Sequence, residues 1–337
     1  MESVLITGAN GFIGSNLCGH FLTHGYRVHA MVRPTSDIHF LDGMGVEMVR
    51  GDLSDPSSIH LPPDLDFIIH AASTVSDFAG EREARRNTVE TTMNLARAVK
   101  AMGKPLKRFV YISSTLVLGY GRLGITEAAP GRSARFLAYT RVKQEAEAYL
   151  QEQRRAWGLP LVILRPADVF GPRDRTTSVK LLPAMEAGVP AIVGNGNWQM
   201  GFLYVENLAQ ACRLVCQGRG RDGVAYTVTN GQEVTWRRLF TAFMTRLGRR
   251  QRIYVPVTPM RAAAFLLELV HAVFPSFQPP LSRYRISRVT TPSSYDITET
   301  IRDLGYKPDQ DFERQIDAIV AWYRREKDLQ ESRGRGT

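Results

Sequence analysis

What most constrains this chain's fold is the alternation of short apolar runs with helical stretches through its first half. VLIT (4–7), YRVHAMV (26–32), VEMV (46–49), DFIIHA (66–71), RFVYIS (108–113) and LVILR (161–165) read as strands. They are nearly continuous in apolar residues, a pattern that calls for burial on both faces of the sheet. Amphipathic helical stretches stand between several of them, notably 81–102 and 136–155. Strand and helix in repetition give an α/β fold, a doubly wound parallel sheet with helices on both faces. The 337 residues suffice for such a domain and an appended lobe. After GPRD (171–174) the alternation fades, and punctuation such as GVPAIVGNGNW (188–198) takes over. We therefore expect a sheet domain over 1–172 and a smaller C-terminal lobe over 173–325, some of whose segments return to the sheet. A basic tail over 326–337 is expected to be flexible.

The stretch ITGANGFIGSNL follows the first strand and opens the first helix, with Gly8, Gly11 and Gly14 three apart. The first permits a tight turn, and the second lets backbone approach a pyrophosphate. The third allows close helix–sheet packing, and the helix N-terminus then faces the negative charge. Three glycines alone are a weak signal. Placed after the first strand of an alternating pattern, they indicate dinucleotide binding, with Asn10, Phe12 and Ile13 in the same loop. NAD enzymes of this architecture commonly end the second strand with an acid for the ribose 2′-hydroxyl. Here AMVRPTSD puts Val32 and Arg33 in that place. A guanidinium suits a 2′-phosphate, and Ser36 could assist, so NADP(H) is expected in preference to NAD(H).

Charge and cysteine usage exclude other classes. The formal charge of +10 and pI of about 9.7 come mostly from arginine, as in RRLFTAFMTRLGRRQR (237–252) and SRYRISR (282–288). No helix-turn-helix, zinc or RNP-type pattern accompanies it, so no specific nucleic-acid partner is expected. A solvated basic surface accounts for the charge, and attraction to anionic lipid is its most plausible specific form. Cys18, Cys212 and Cys216 lie far from any CxxC pattern, and His20 and His24 lack a third ligand nearby. A reduced, cytoplasmic, metal-free protein is the expectation, with no secretory signal apparent at MESVLITGAN.

AYTRVKQEAE (138–147) sets Tyr139 four residues before Lys143, on one helix face. WYRREK repeats that spacing with Tyr323 and Lys327, so spacing alone cannot mark a site. Context separates them. Ser114 ends the strand RFVYIS, 25 residues before Tyr139, whereas Tyr323 and Lys327 lie in a terminal helix after the sheet is complete.

In order along the chain stand TGANGFIG, GDLSDP (51–56), HAAS (70–73), YISST (111–115), YTRVK (139–143), LRPADVFGP (164–172), YVENLA (204–209) and DLGYKP (303–308). Together they resemble the extended short-chain dehydrogenase/reductases, the NAD-dependent epimerase/dehydratase group, over roughly residues 3–325. YVENLA and PPLSRYR are most similar to the 3β-hydroxysteroid dehydrogenase branch, and VHAMVRPTSD to the dihydroflavonol-reductase side. The resemblance implies a Rossmann-type fold with a substrate-binding lobe. It implies Tyr139 as general acid/base, Lys143 binding the nicotinamide ribose and lowering the tyrosine pKa, and Ser114 polarising the substrate oxygen. Asp52 and Leu53 would meet the adenine, Ala71, Ala72 and Ser73 would flank the cofactor, and Pro166 with Val169 would line the nicotinamide. One stretch departs from the pattern. Where the family often has N-V-x-G-T-x-N, this chain reads NTVETTMN, so Asn87 stands one residue early and Thr88 takes the usual Asn place.

Three functions stay open: an alcohol dehydrogenase or ketoreductase for a hydrophobic, sterol-like or polycyclic substrate, a nucleotide-sugar epimerase or dehydratase, and a non-catalytic cofactor-binding regulator. Thr115 and Leu116 stand where the family's dehydratases carry Asp-Glu, leaving elimination without its acid and base. Met200 stands where nucleotide-sugar epimerases tend to place an arginine, and a thioether cannot clamp a pyrophosphate. The regulator is disfavoured because Ser114, Tyr139 and Lys143 are all present. From Ala262 to Phe274 only Glu268 and His271 are polar. That run is too short to span a bilayer, and fits a core helix, a pocket cover or a peripheral contact with anionic membrane. By analogy, helices 81–102 and 136–155 imply a homodimer.

Overall fold

The apolar runs form β1 (Ser3–Thr7), β2 (Arg27–Val32), β3 (Glu47–Arg50), β4 (Phe67–His70), β5 (Arg108–Ile112) and β6 (Leu161–Pro166). The structure, a computed structural model, describes every residue except 74–79, 176–177, 189–191, 251–252, 275–276, 278, 280 and 335–337. A seventh strand, Ala225–Val228, completes one parallel sheet in the order Ala225–Val228, β6, β5, β4, β1, β2, β3. The sequence reading did not mark it. AYTV is a short run at the sheet edge, with half-buried residues at alternate positions.

Successive residues of β1 serve opposite faces. Val4 and Ile6 pack with Leu17 and Phe21 of α1 (Phe12–Thr23), and with Leu208 and Cys212 of the helix Val205–Cys216. Leu5 points the other way, into a core with Ile68, Phe109, Tyr111, Leu95 and Leu150. This second core is closed by α3 (Thr91–Ala101) and α4 (Ala138–Trp157). All three cysteines are buried and free, and burial pushes the Cys18 thiol up to about 12. They behave as small apolar core residues.

The expected helix 81–102 forms with a fault in it. α2 (Glu81–Arg85) runs through a π-turn at Arg86–Glu90 into α3. A π-turn takes up one extra residue without breaking the helix, and such turns recur at functional sites. This is the stretch where Asn87 stands one residue out of the family register.

A separate core holds Phe170, Met200, Phe202, Phe243, Phe312, Ile316 and Trp322. The C-terminal helix Phe312–Gly334 packs there and carries most of the stretch from 326. Two contacts join this helix to Glu186. Tyr323 Oη donates to Glu186 Oε2 at 2.8 Å, and Lys327 Nζ to Glu186 Oε1 at 2.9 Å. Only the last three residues of the tail lie outside the described residues.

Candidate active site

The sheet order reverses between β1 and β4, and at their carboxyl ends opens a cleft of about 700 Å³. That crevice is where open parallel sheets place their ligands. On its floor Thr7 Oγ1 meets His70 Nδ1 at 2.7 Å and accepts from the Ala72 amide at 3.2 Å. Thr92 Oγ1 meets the other ring nitrogen of His70 at 3.0 Å. Burial lowers the His70 pKa to about 3, so the ring is a neutral tie between two strand ends and a helix.

The glycine loop fits a dinucleotide. Gly8 adopts φ +64°, and a Cβ there would lie 2.9 Å from the Ala72 Cα. A Cβ at Gly14 would stand 2.1 Å from the carbonyl oxygen of Gly8. The Gly11 amide closes the turn on that oxygen at 2.9 Å, and α1 begins at Phe12. Side chains at these positions would fill the cradle, which leaves the start of α1 bare toward the cleft. Asn10, Gly11, Phe12, Ile13, Arg33, Ser36, Asp52, Leu53, Ala71, Ala72, Ser73, Pro166 and Val169 all line the same cleft, as do Ser114 and Tyr139.

Ser114 leaves β5 in an extended conformation and caps a short 3-10 turn, accepting from the Leu116 amide at 3.2 Å. Tyr139 lines the same cleft, and the Ser114 hydroxyl favours its ionised form. Lys143, one turn further along α4, does not line the cleft. It is buried behind it, donating to the Ile112 carbonyl at 2.7 Å and lying 4.8 Å from the centre of the Tyr111 ring. Burial lowers its pKa to about 7, against the opposing charge of Glu147. Glu147 is itself gripped by both Nε and Nη2 of buried Arg165, at 3.0 and 2.6 Å.

Among the chain's own groups burial raises the Tyr139 pKa most, the Ser114 hydroxyl pulls it down, and the Asp168 carboxylate pushes it up.

Sequence reasoning missed several wall residues. Asp168 of β7 (Asp168–Phe170) lines the cleft and accepts from Arg288 Nη2 at 2.6 Å. Its motif LRPADVFGP was visible, but its arginine partner lies 120 residues away. Asn87, displaced in sequence, reaches the cleft through the π-turn, beside Arg86 and Thr91. Thr88 instead bonds Ser73, Oγ1 to Oγ at 3.0 Å. Arg33 and Arg86 both act on Asp52 and help hold its carboxyl low, after its bonds from Ser54. Arg175 reaches the cleft from the GPRDR turn, bonded to Asp37 at 3.0 Å. Tyr323 and Lys327, both committed to Glu186, are a structural clamp.

Residues 4–229 match the NAD dependent epimerase/dehydratase family. The chain belongs to that family. The chain is similar to a 2-alkyl-3-oxoalkanoate reductase of Stenotrophomonas maltophilia, 28% identical over 94% of this chain and 98% of that protein. It is also similar to a decarboxylating sterol-4-alpha-carboxylate 3-dehydrogenase of Candida albicans, 26% identical over 96% and 97% of the two chains. In fold it matches an epimerase from Methanothermobacter thermautotrophicus, with a TM-score of 0.78 over 97% and 94% of the chains at 19% identity. Among the described residues no cluster of His, Cys, Asp and Glu could hold a metal ion.

Proposed function

We propose that the protein is an NAD(P)-dependent oxidoreductase that interconverts a secondary alcohol and a ketone on a hydrophobic substrate. The observation that carries the reading is that Ser114, at a strand end, and Tyr139 line one cleft with the glycine cradle, with Lys143 beneath. The glycine loop and α1 would hold the pyrophosphate, Arg33 and Ser36 the adenosine ribose, and Lys143 the nicotinamide ribose once its ammonium turns from the Ile112 carbonyl toward the cleft. When bound, the nicotinamide carries the hydride and, oxidised, adds positive charge to the site.

The chain's own groups manage the proton. In the reducing direction Tyr139 donates its phenolic proton to the substrate oxygen, and in the oxidising direction its phenolate takes that proton back. Ser114 donates to the same oxygen as charge develops there. Ser114 and Tyr139 line the same cleft, so one substrate oxygen can meet both hydroxyls. Lys143 is a positioning group whose ammonium competes with burial.

The relatives named above are, by their names, a 3-oxoalkanoate reductase and a sterol 3-dehydrogenase. Both names describe an oxygen on carbon within a greasy skeleton, and both support the reading. The nucleotide-sugar alternative meets two obstacles. Thr115 and Leu116, which line the cleft, offer no acid–base pair for elimination, and Met200, buried outside the cleft lining, cannot clamp a diphosphate. Consumption of NADPH and NADH should follow sterol ketones, 2-alkyl-3-oxo acids or flavonoid-type ketones. Turnover of UDP-sugars alone overturns the assignment.

NADPH is the preferred cofactor on this reading, because Arg33 stands at the end of β2 with Arg86 and Arg175 lining the same cleft. Arg33→Asp should lower NADPH affinity about tenfold or more while sparing NADH, as expected for loss of a charge-assisted pair worth about 1.5–3 kcal/mol. Equal losses for both cofactors, read by fluorescence titration, would refute the role.

The sheet domain over 1–172 then carries cofactor and catalysis, and the lobe over 173–325 shapes the substrate. The partners proposed are a hydrophobic small molecule, a second copy packed through α2–α4, and an anionic membrane surface at 262–274. A homodimer mass at micromolar concentration is expected, and a sharp monomer would contradict that part.

A further inference from the structure

The helix Val257–Val273 turns its apolar residues outward. Among them only Ala264 is buried. Phe265, Leu266, Leu269, Val270 and Val273 are 43, 61, 48, 44 and 70% exposed, and Phe274 beyond the helix end is 62% exposed. At about 100° per residue these five helical positions fall in one sector of about 140°, a single stripe along the helix. None of them lines the cleft, so they do not cover the substrate site.

The polar side of the same helix faces the protein. Glu268 accepts from the Arg283 amide at 2.7 Å and from Arg283 Nε at 2.6 Å. His271 Nδ1 meets the Phe277 carbonyl at 2.6 Å. Arg283 begins the neighbouring helix Arg283–Val289, and its guanidinium lies 5.0 Å from the centre of the Phe265 ring. The helix is thus fixed by its polar face and presents its apolar face to the outside, the reverse of a core helix.

Charge selects the occupant. Between 249 and 288 stand seven arginines and one acid, Glu268, already spent on Arg283. Arg249, Arg250, Arg261 and Arg283 are exposed; Arg261 stands on the same helix as the stripe, and Arg283, paired with Glu268, lies against Phe265. A second copy docked by a two-fold axis would set this arginine surround against itself. A surface of anionic lipid answers both features at once: the stripe enters the headgroup–acyl boundary and the arginines meet lipid phosphates. Among the described residues no helix is long and apolar enough to cross a membrane, which leaves an in-plane position.

We propose that the helix Val257–Val273 is an interfacial anchor that lays its Phe265–Val273 stripe into an anionic membrane surface. The anchor lies outside the cleft and stands independently of the roles given to Tyr139 and Lys143.

The test is co-sedimentation of the full chain with vesicles of phosphatidylcholine containing about 30% phosphatidylserine, against pure phosphatidylcholine, at about 0.02 and 0.15 M salt. Binding to the anionic vesicles is expected, strongest at low salt and at least about tenfold weaker on neutral ones. Leu266→Glu with Leu269→Glu and Val273→Glu should reduce the bound fraction at least about tenfold. These side chains are exposed, so the melting temperature and the oxidation of NADPH by a water-soluble ketone should match the parent. Failure to bind anionic vesicles at low salt overturns the proposal, as does a folded triple variant that binds undiminished. A triple variant whose only change is loss of a dimer assigns the stripe to a second copy and also overturns it.

Discussion

Tyr139→Phe is expected to lower turnover by about 10²–10⁴-fold while leaving NADPH affinity unchanged. The phenol lines the cleft together with Ser114, and the substitution removes its oxygen and little else. Ser114 would still donate to the substrate oxygen, so a residual rate should survive. Tyr323→Phe is the internal control. It has the same spacing to a lysine, but its hydroxyl serves Glu186. That variant should keep full turnover, with at most about 1 kcal/mol lost in stability. Steady-state rates and cofactor fluorescence titration on the two variants decide it. Unimpaired turnover in Tyr139→Phe refutes the assignment, and equal losses in both variants would show that the defect is in folding.

Gly14→Ala should cost the dinucleotide site about 100-fold in affinity, the scale on which a misplacement of about 1 Å is felt at a built site. The added carbon would stand 2.1 Å from the Gly8 oxygen, 2.7 Å from the Gly8 carbonyl carbon and 2.8 Å from the Ala9 Cα. All three are backbone atoms that no rotamer change can move aside, so α1 must back away from the loop. Overpacking of this kind also costs about 1–3 kcal/mol of stability. Gly19→Ala in the same helix separates the two effects. A Cβ there meets nothing closer than Arg173 Nη1 at 4.0 Å. It should stabilise the helix by up to about 1 kcal/mol and leave cofactor affinity alone. Equal NADPH affinity in the two variants, measured by titration, would show that the Gly8–Gly14 contact does not shape the cradle.

Much of the sheet was legible because burial on both faces demands near-continuous apolar runs, and six of seven strands carry them. Ala225–Val228 escaped because an edge strand of four residues is half-covered and needs no such run. The glycine loop was legible for a different reason: each glycine answers a short-range constraint, and short-range constraints are written locally. Asp168 and Arg288 show the opposite case, since nothing in either segment announces a partner 120 residues distant. The π-turn was half legible. The displaced Asn87 signalled an irregularity, but only the helical register at Arg86–Glu90 shows how the extra residue is absorbed. A sequence shows a lysine four residues after Tyr139, and cannot show that its ammonium is buried against the Ile112 carbonyl. For 262–274 the sequence left a core helix, a pocket cover and a membrane contact open, and the outward direction of the stripe at 265–273 is what the structure adds.

The central claim is a net transfer of hydride to or from a hydrophobic substrate, and isotope transfer tests it most directly. NADPH carrying deuterium at either face of nicotinamide C4 is incubated with the enzyme and a panel of sterol ketones, 2-alkyl-3-oxo acids and UDP-sugars. The account predicts that one of the two labelled cofactors delivers one deuterium to the carbinol carbon of a hydrophobic product for each NADPH consumed. Interconversion of a UDP-sugar with no net cofactor consumption, and no label in any ketone-derived product, would contradict it.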